Sequence, residues 1–175
     1  MFALPVPGSR AASRAKFRAG TLFAAAALVV AALMTAPAAQ ACTQAVPEQT
    51  LREMVRLINA ERTARGLVPV RADPGLGALA QAHACDMARN GFFGHVGSNG
   101  RDFAHRVSTA GRRGCRMSEN LAMGVRNSRA AHRAWMDSAG HRTNILNPAH
   151  VAVGLGIATP RSGRGMRWVT VFSAC

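Results

Sequence analysis

The stretch Trp135 to Leu146, WMDSAGHRTNIL, decides how this chain is read. It holds an aromatic anchor, a carboxylate at Asp137, a glycine directly before His141, and the apolar pair Ile145 and Leu146. Arg142 and Asn144 read as architecture, with Asn144 bracing a turn and Ile145 and Leu146 entering the core. Outward from it lie two more stretches of the same character, Ser118-Glu119-Asn120-Leu121 and Phe92-Phe93-Gly94-His95. Together the three combine histidine, carboxylate and glycine in a way that spacing alone does not explain.

The segments around them alternate in period. From Thr50 to Arg65, Leu51, Met54, Val55 and Ile58 fall at helical spacing and Gly66 follows as a stop. Asp73-Pro74 reads as an N-cap with proline at the first helical position, and the helix it opens runs to Asn90-Gly91 with Leu76, Leu79, Ala80, His83, Ala84 and Met87 on one face. Gly91 to Gly100 is a surface loop carrying His95. A short helix is expected from Arg101 to Thr109, a strand over Met117 to Val125, and a helix capped by Ser128 running to about Ser138. Ala149 to Thr159 and Met166 to Ala174 are rich in Val and Ile around a turn and read as an antiparallel pair. The fold class is therefore α+β, helices packed on a small antiparallel sheet.

The three motif stretches resemble the signature elements of the CAP superfamily, in its bacterial SCP or YkwD-like branch, related to the cysteine-rich secretory, antigen 5 and pathogenesis-related 1 proteins. VGLGIA (Val153 to Ala158) and WVTVFS (Trp168 to Ser173) match that family's closing strands. The likeness spans about residues 51 to 174 and implies an α-β-α sandwich with a shallow cleft lined by two histidines and up to two glutamates. Carried over by position, His95 is the first histidine, Glu119 the glutamate of the Gly-Glu-Asn motif, and His141 the second histidine. The second glutamate falls on Ser138, so a triad stands where many members have a tetrad, with Asp137 next door as a partial substitute.

From the residues alone, two imidazoles and a carboxylate are a partial coordination set for Zn²⁺, with His95, His141 and Glu119 as ligands and water completing the shell. The same groups can instead form a hydrogen-bonded cluster in which Glu119 sets the imidazole tautomers. The two readings stand open. The groups are too far apart in sequence for the H-E-x-x-H helix of a metalloprotease. His83 reads as a core histidine, whereas His105, His132 and His150 read as surface residues. No strained G-x-S-x-G turn is present, so Ser118 and Ser138 carry no hydrolase chemistry.

The first 41 of the 175 residues read as a targeting segment. Arg10, Arg14, Lys16 and Arg18 precede an apolar run from Leu22 to Met34, too short to span a bilayer, and Ala39-Gln40-Ala41 supplies a small-residue cleavage site. That reading makes residues 1–41 a signal peptide and 42–175 a single domain, exported to the periplasm or beyond. In an oxidising compartment, four cysteines point to two disulfides. The nearness of chain ends favours Cys42 with Cys175 and Cys85 with Cys115 among the three pairings. The rival reading is a lipid anchor on Cys42.

Twenty-two basic residues against 8 acidic ones give a net charge of +14. Without the four basic residues of the leader, 18 stand against 8, a net charge of +10, and such a surface attracts anionic partners. For an exported chain these are envelope glycans, lipopolysaccharide or anionic lipid. Nucleic acid is excluded, because no stacking aromatics are interleaved with the arginines. The expected function is a secreted, non-catalytic binding module. The alternative is a metal-assisted envelope hydrolase with Glu119 as catalytic general base; glycoside cleavage, however, ordinarily needs two carboxylates.

Overall fold

The computed structural model describes residue 42, residues 46–163 and residues 165–175. The leader and its cleavage site lie outside them. Helix α1 (Glu48–Thr63) starts straight after Pro47, with Glu48 in the first turn where the helix dipole favours a negative charge. Its buried stripe is Met54, Ile58 and Arg62, one residue per turn. A two-residue strand β1 (Arg71–Ala72) leads into α2 (Pro74–Asn90). Here the expected cap is in place: the Asp73 carboxylate accepts from Leu76 N–H, and Gly91 closes the helix at φ 71°, a left-handed conformation that costs glycine little.

Next come α3 (Phe103–Thr109), β2 (Met117–Met123), α4 (Ser128–Asp137), α5 (Ala139–Ile145), β3 (Ala152–Ala158) and β4 (Arg167–Ser173). Two local expectations change. The cap of α4 is Asn127, whose side chain accepts from Ala130 N–H, while Ser128 is the first helical residue and donates to Thr50 O. The motif stretch after Trp135 is not a turn but a helix of its own, α5, reset at Ser138, which has extended backbone and ends α4 while beginning α5.

The sheet has order β1-β3-β4-β2. β2, β4 and β3 are antiparallel, as expected, but β1 adds parallel to β3, so the sheet is mixed. Two residues and two alternating side chains gave no periodicity from which to read β1. Helices cover both faces of this sandwich. On one, α2 contributes Leu76, Ala80 and Ala84 against Ala152, Ala158, Val169 and Val171. On the other, Met54, Ile58, Ala131, Trp135 and Ile145 meet Val153, Leu155, Trp168 and Phe172. Strand alternation sorts β3 the same way, with Ala152, Gly154, Gly156 and Ala158 toward α2. β2 is left at the free edge, and the candidate site is built there.

The disulfide pairing departs from expectation. Cys115 is bonded to Cys175, Cα atoms 5.7 Å apart, rather than Cys42 to Cys175 or Cys85 to Cys115. The register of β2 on β4 explains it, because Met117 lies opposite Ser173 and so brings the flanking cysteines together. Cys42 and Cys85 are both buried.

His132 and His150, read as surface residues, are instead buried, at 7% and 1% exposure. The His150 ring stacks on Phe172 with centroids 5.4 Å apart. His83 is buried as expected. Burial holds the pKa values of His83, His132, His141 and His150 below the ordinary histidine value. The unfolded chain therefore takes up protons that the fold refuses, and stability falls as pH drops through the ordinary histidine pKa, 6.5. Asp73 and Asp86 also pay for burial, but hydrogen bonds outweigh it and hold both below their usual value, so they add a loss only under about pH 4. A thermal melt is expected to weaken between pH 7.5 and 5, above the range in which Asp73 and Asp86 take up protons. His132→Leu, which removes a buried imidazole whose Nε2 has no partner, is expected to narrow that gap. An unchanged melting temperature across that range contradicts the assignment.

Candidate functional site

His95 lies on the loop between α2 and α3, and the loop is pinned at several points. The buried His83 ring places Nε2 2.9 Å from Gly94 O. Asp86 on α2 accepts from Ser98 N–H at 2.9 Å and from its hydroxyl at 2.6 Å. Arg106, on α3, donates to the carbonyl of His95 itself at 2.7 Å. A glycine-rich segment with little apolar burial is thus held by polar contacts to its two flanking helices.

Glu119 lies on the edge strand β2 with its side chain 2% exposed. Its Oε1 faces His95 Nδ1 at 2.8 Å. Arg106 Nη2 donates to Oε1 and Oε2, each at 2.9 Å. A carboxylate that accepts at this position makes Nδ1 the protonated nitrogen of His95 and leaves the lone pair on Nε2. The His95 side chain is 53% exposed, so the ring is oriented from behind and open in front.

His141 comes from the other side of the edge strand. Asn120 Nδ2 donates to His141 O at 3.0 Å, and Asn144 Nδ2 donates to Asn120 Oδ1 at 2.8 Å. Two consecutive strand residues thus reach to opposite sides, Glu119 to the α2–α3 loop and Asn120 to α5. His141 is half-buried, and its pKa is lowered first by burial and then by the neighbouring His95. Ser138 is the N-cap of α5, and its carbonyl accepts from Arg142 N–H at 2.8 Å as in any first helical turn. Asp137 lies on a separate groove along α4 with Asn127, Arg129 and Arg133, and is no substitute for the missing second glutamate.

A family model described as the cysteine-rich secretory protein family, CAP, matches residues 55–174. The chain belongs to the CAP family. This CAP domain is 35% identical over 112 residues to the uncharacterized protein YkwD of Bacillus subtilis (strain 168), covering 60% of this chain and 41% of that protein. It spans less than half the length of that relative. Among solved structures it resembles an outer surface protein of Borrelia burgdorferi, with TM-score 0.65 at 18% identity, covering 72% of this chain and 92% of that one. It also resembles an extracellular protein containing an SCP domain from Bacillus anthracis str. Ames, with TM-score 0.60 at 23% identity, covering 73% and 43%. Among the described residues no helix is long and apolar enough to cross a membrane.

The CAP cleft holds one residue that sequence reading missed. Arg106 lies 15% exposed beneath the site, with its guanidinium 5.7 Å from the Phe103 ring centroid. The signal was present: Phe103, Arg106 and Val107 share one face of α3, and an arginine on an otherwise apolar face asks for a buried acid. Its grip changes the metal question. Glu119 already accepts three hydrogen bonds, and no group of three or more potential ligands comes together among the described residues. The set His95, Glu119 and His141 therefore does not fit as three ligands. The donor chemistry fits an open pair of imidazoles, with Glu119 as the acceptor that orients one of them.

Proposed function

We propose that this CAP domain is an exported binding module whose edge-strand cleft recognises an anionic component of the cell envelope. The observation that carries this reading is the closed ion pair of Arg106 and Glu119. A general base must be free to take a proton from a water or substrate, whereas both oxygens of Glu119 accept from a guanidinium and one also faces His95. With Ser138 in place of a second glutamate, the opposed carboxylates of a glycosidase are absent from the cleft. What the site offers a ligand is the outward lone pair of His95 Nε2, which meets a phosphate or carboxylate only through a bridging cation or proton donor, on a chain whose excess of basic residues draws anionic groups toward it.

Zn²⁺ belongs to this reading only as an exchangeable occupant held by His95 and His141. Zinc held there would supply a Lewis-acidic contact for an anionic group. Glu119 acts behind it by keeping the His95 ring in one tautomer and orientation. The test is to incubate the purified exported protein with peptidoglycan, with lipopolysaccharide and with anionic phospholipid vesicles in separate arms. Retention on one of them is expected to weaken with salt and to be lost in His95→Ala/His141→Ala. Release of reducing ends or free amines is expected to be no greater than with Glu119→Gln. Retention untouched by the double substitution, or release that depends on Glu119, overturns the reading. In a parallel zinc titration, the double substitution is expected to abolish uptake and Glu119→Gln to weaken it by about 10–100-fold. Unchanged zinc affinity in both removes the metal.

A further inference from the structure

Cys42 and Cys85 are brought together by the fold across 43 residues of sequence. Cys85 lies on α2, one turn from Gln81 and one turn from Arg89, on the helix stripe beside the one that packs on the sheet. Cys42 is buried against it at 8% exposure, and both belong to the same apolar cluster as Leu76, Ala80 and Ala84. The Cys85 thiol donates to the carbonyl oxygen of Cys42. Gln81 forms a backplate to the pair: its amide exchanges two hydrogen bonds with Ile157, at 2.8 and 2.9 Å, and its Nε2 lies 3.4 Å from Cys85 Sγ and 3.5 Å from Cys42 O. Both cysteines also line one apolar groove of about 720 Å³, with Val46, Leu51, Ala78 and Leu155.

We propose that Cys42 and Cys85 form a second disulfide, which staples the start of the domain to α2 across this groove. The proposal rests on the export reading, since the bond needs an oxidising compartment. The step is thiol–disulfide exchange with a protein-disulfide oxidant of that compartment. One cysteine thiolate attacks the oxidant's disulfide and expels a thiolate. The second cysteine then attacks the mixed disulfide, releasing the oxidant as a dithiol that has gained both electrons and both protons. Burial, followed by the neighbouring Cys42, pushes the Cys85 thiol up to about 11, so in the folded chain it is protonated and a poor nucleophile. Oxidation therefore belongs to a stage before α2 and the N-terminal segment are fully packed. The Cys115–Cys175 bond joins residues flanking a hydrogen-bonded strand pair and leaves residues 46–70 untethered. A Cys42–Cys85 bond would tie the chain immediately before α1 to the opposite face of the sheet.

The test uses the full chain, expressed with its leader and recovered after export. Thiols are alkylated before denaturation and again after it, and the tryptic peptides are mapped without reduction. Trypsin cleavage after arginine places the four cysteines on four separate peptides, so the pairing is read directly. The expected result is a Cys42–Cys85 linked pair, two hydrogens lighter than its separate peptides, beside the Cys115–Cys175 pair. In Cys85→Ser, Cys42 is expected to become fully alkylated while Cys115–Cys175 stays linked. If Cys115–Cys175 is linked but Cys42 and Cys85 are both alkylated, the proposal fails and export stands. A lipid mass on Cys42 also overturns it. All four cysteines alkylated overturns the export reading and the proposal together.

Discussion

Gly154→Ala is expected to destabilise the domain by at least about 3 kcal/mol, the upper part of the range for overpacking a tight interior. A methyl group at this position would meet the backbone of α2, 2.1 Å from Leu76 C and 2.2 Å from Gly77 N. Backbone cannot step aside as a flexible side-chain end can, so the helix must lift from the sheet or the strand must bend. Gly156 repeats the arrangement one turn along the helix, where a Cβ would lie 2.3 Å from Ala80 C. The two glycines of VGLGIA thus let α2 lie directly on β3. Lifting α2 would also shift Asp86 and His83, which hold the His95 loop. Chemical denaturation of Gly154→Ala checks this, with Gly140→Ala as control, since nothing lies within 4 Å of that position's Cβ. A Gly154→Ala midpoint equal to wild type contradicts the packing described.

Arg62→Ala is expected to cost about 4 kcal/mol. The guanidinium is fully buried and donates to four carbonyls: Val68 at 2.9 Å, Ile145 at 2.8 Å, Asn147 at 2.9 Å and His150 at 2.8 Å. Each buried acceptor stranded by its removal costs about 1 kcal/mol or more. Against a total stability of about 5–15 kcal/mol, that is a large fraction. Val68 lies between α1 and β1, and the other three acceptors lie at the C-terminal end of α5 and in the connection to β3, where helix carbonyls lack internal partners and carry partial negative charge. Arg62 therefore anchors the far end of the helix that presents His141. Arg62→Lys is expected to recover less than half of the loss, because an ammonium is a point donor and cannot span the fork. A loss under about 1 kcal/mol for Arg62→Ala would mean that water satisfies the four carbonyls.

Much of this fold can be read from local chemistry. Asp73-Pro74 caps α2 as expected because an aspartate carboxylate and a proline at the first turn serve helix N-termini regardless of context. The β3–β4 hairpin follows from two β-branched runs around a turn. The cleft residues His95 and Glu119 were found by family resemblance, and the structure places them 2.8 Å apart. The elements that escaped are those whose cause is distant. β1 exists only because β3 offers it an edge, and α5 begins as a separate helix because Ser138 resets the backbone after Trp135 is buried. His132 and His150 looked like surface residues without acidic neighbours; what buries them is packing against elements remote in sequence, for His150 the Phe172 ring of β4.

The chain's own order of residue types determined the helices α1 to α4 and the strands β2 to β4 to within a few residues, since caps and periodicity act over short stretches of sequence. Only the tertiary structure decided which cysteines meet, that Arg106 claims Glu119, and that Arg62 ties α1 to α5. Those outcomes depend on strand register and on which buried charge finds which partner, and neither is set until the helices close on the sheet.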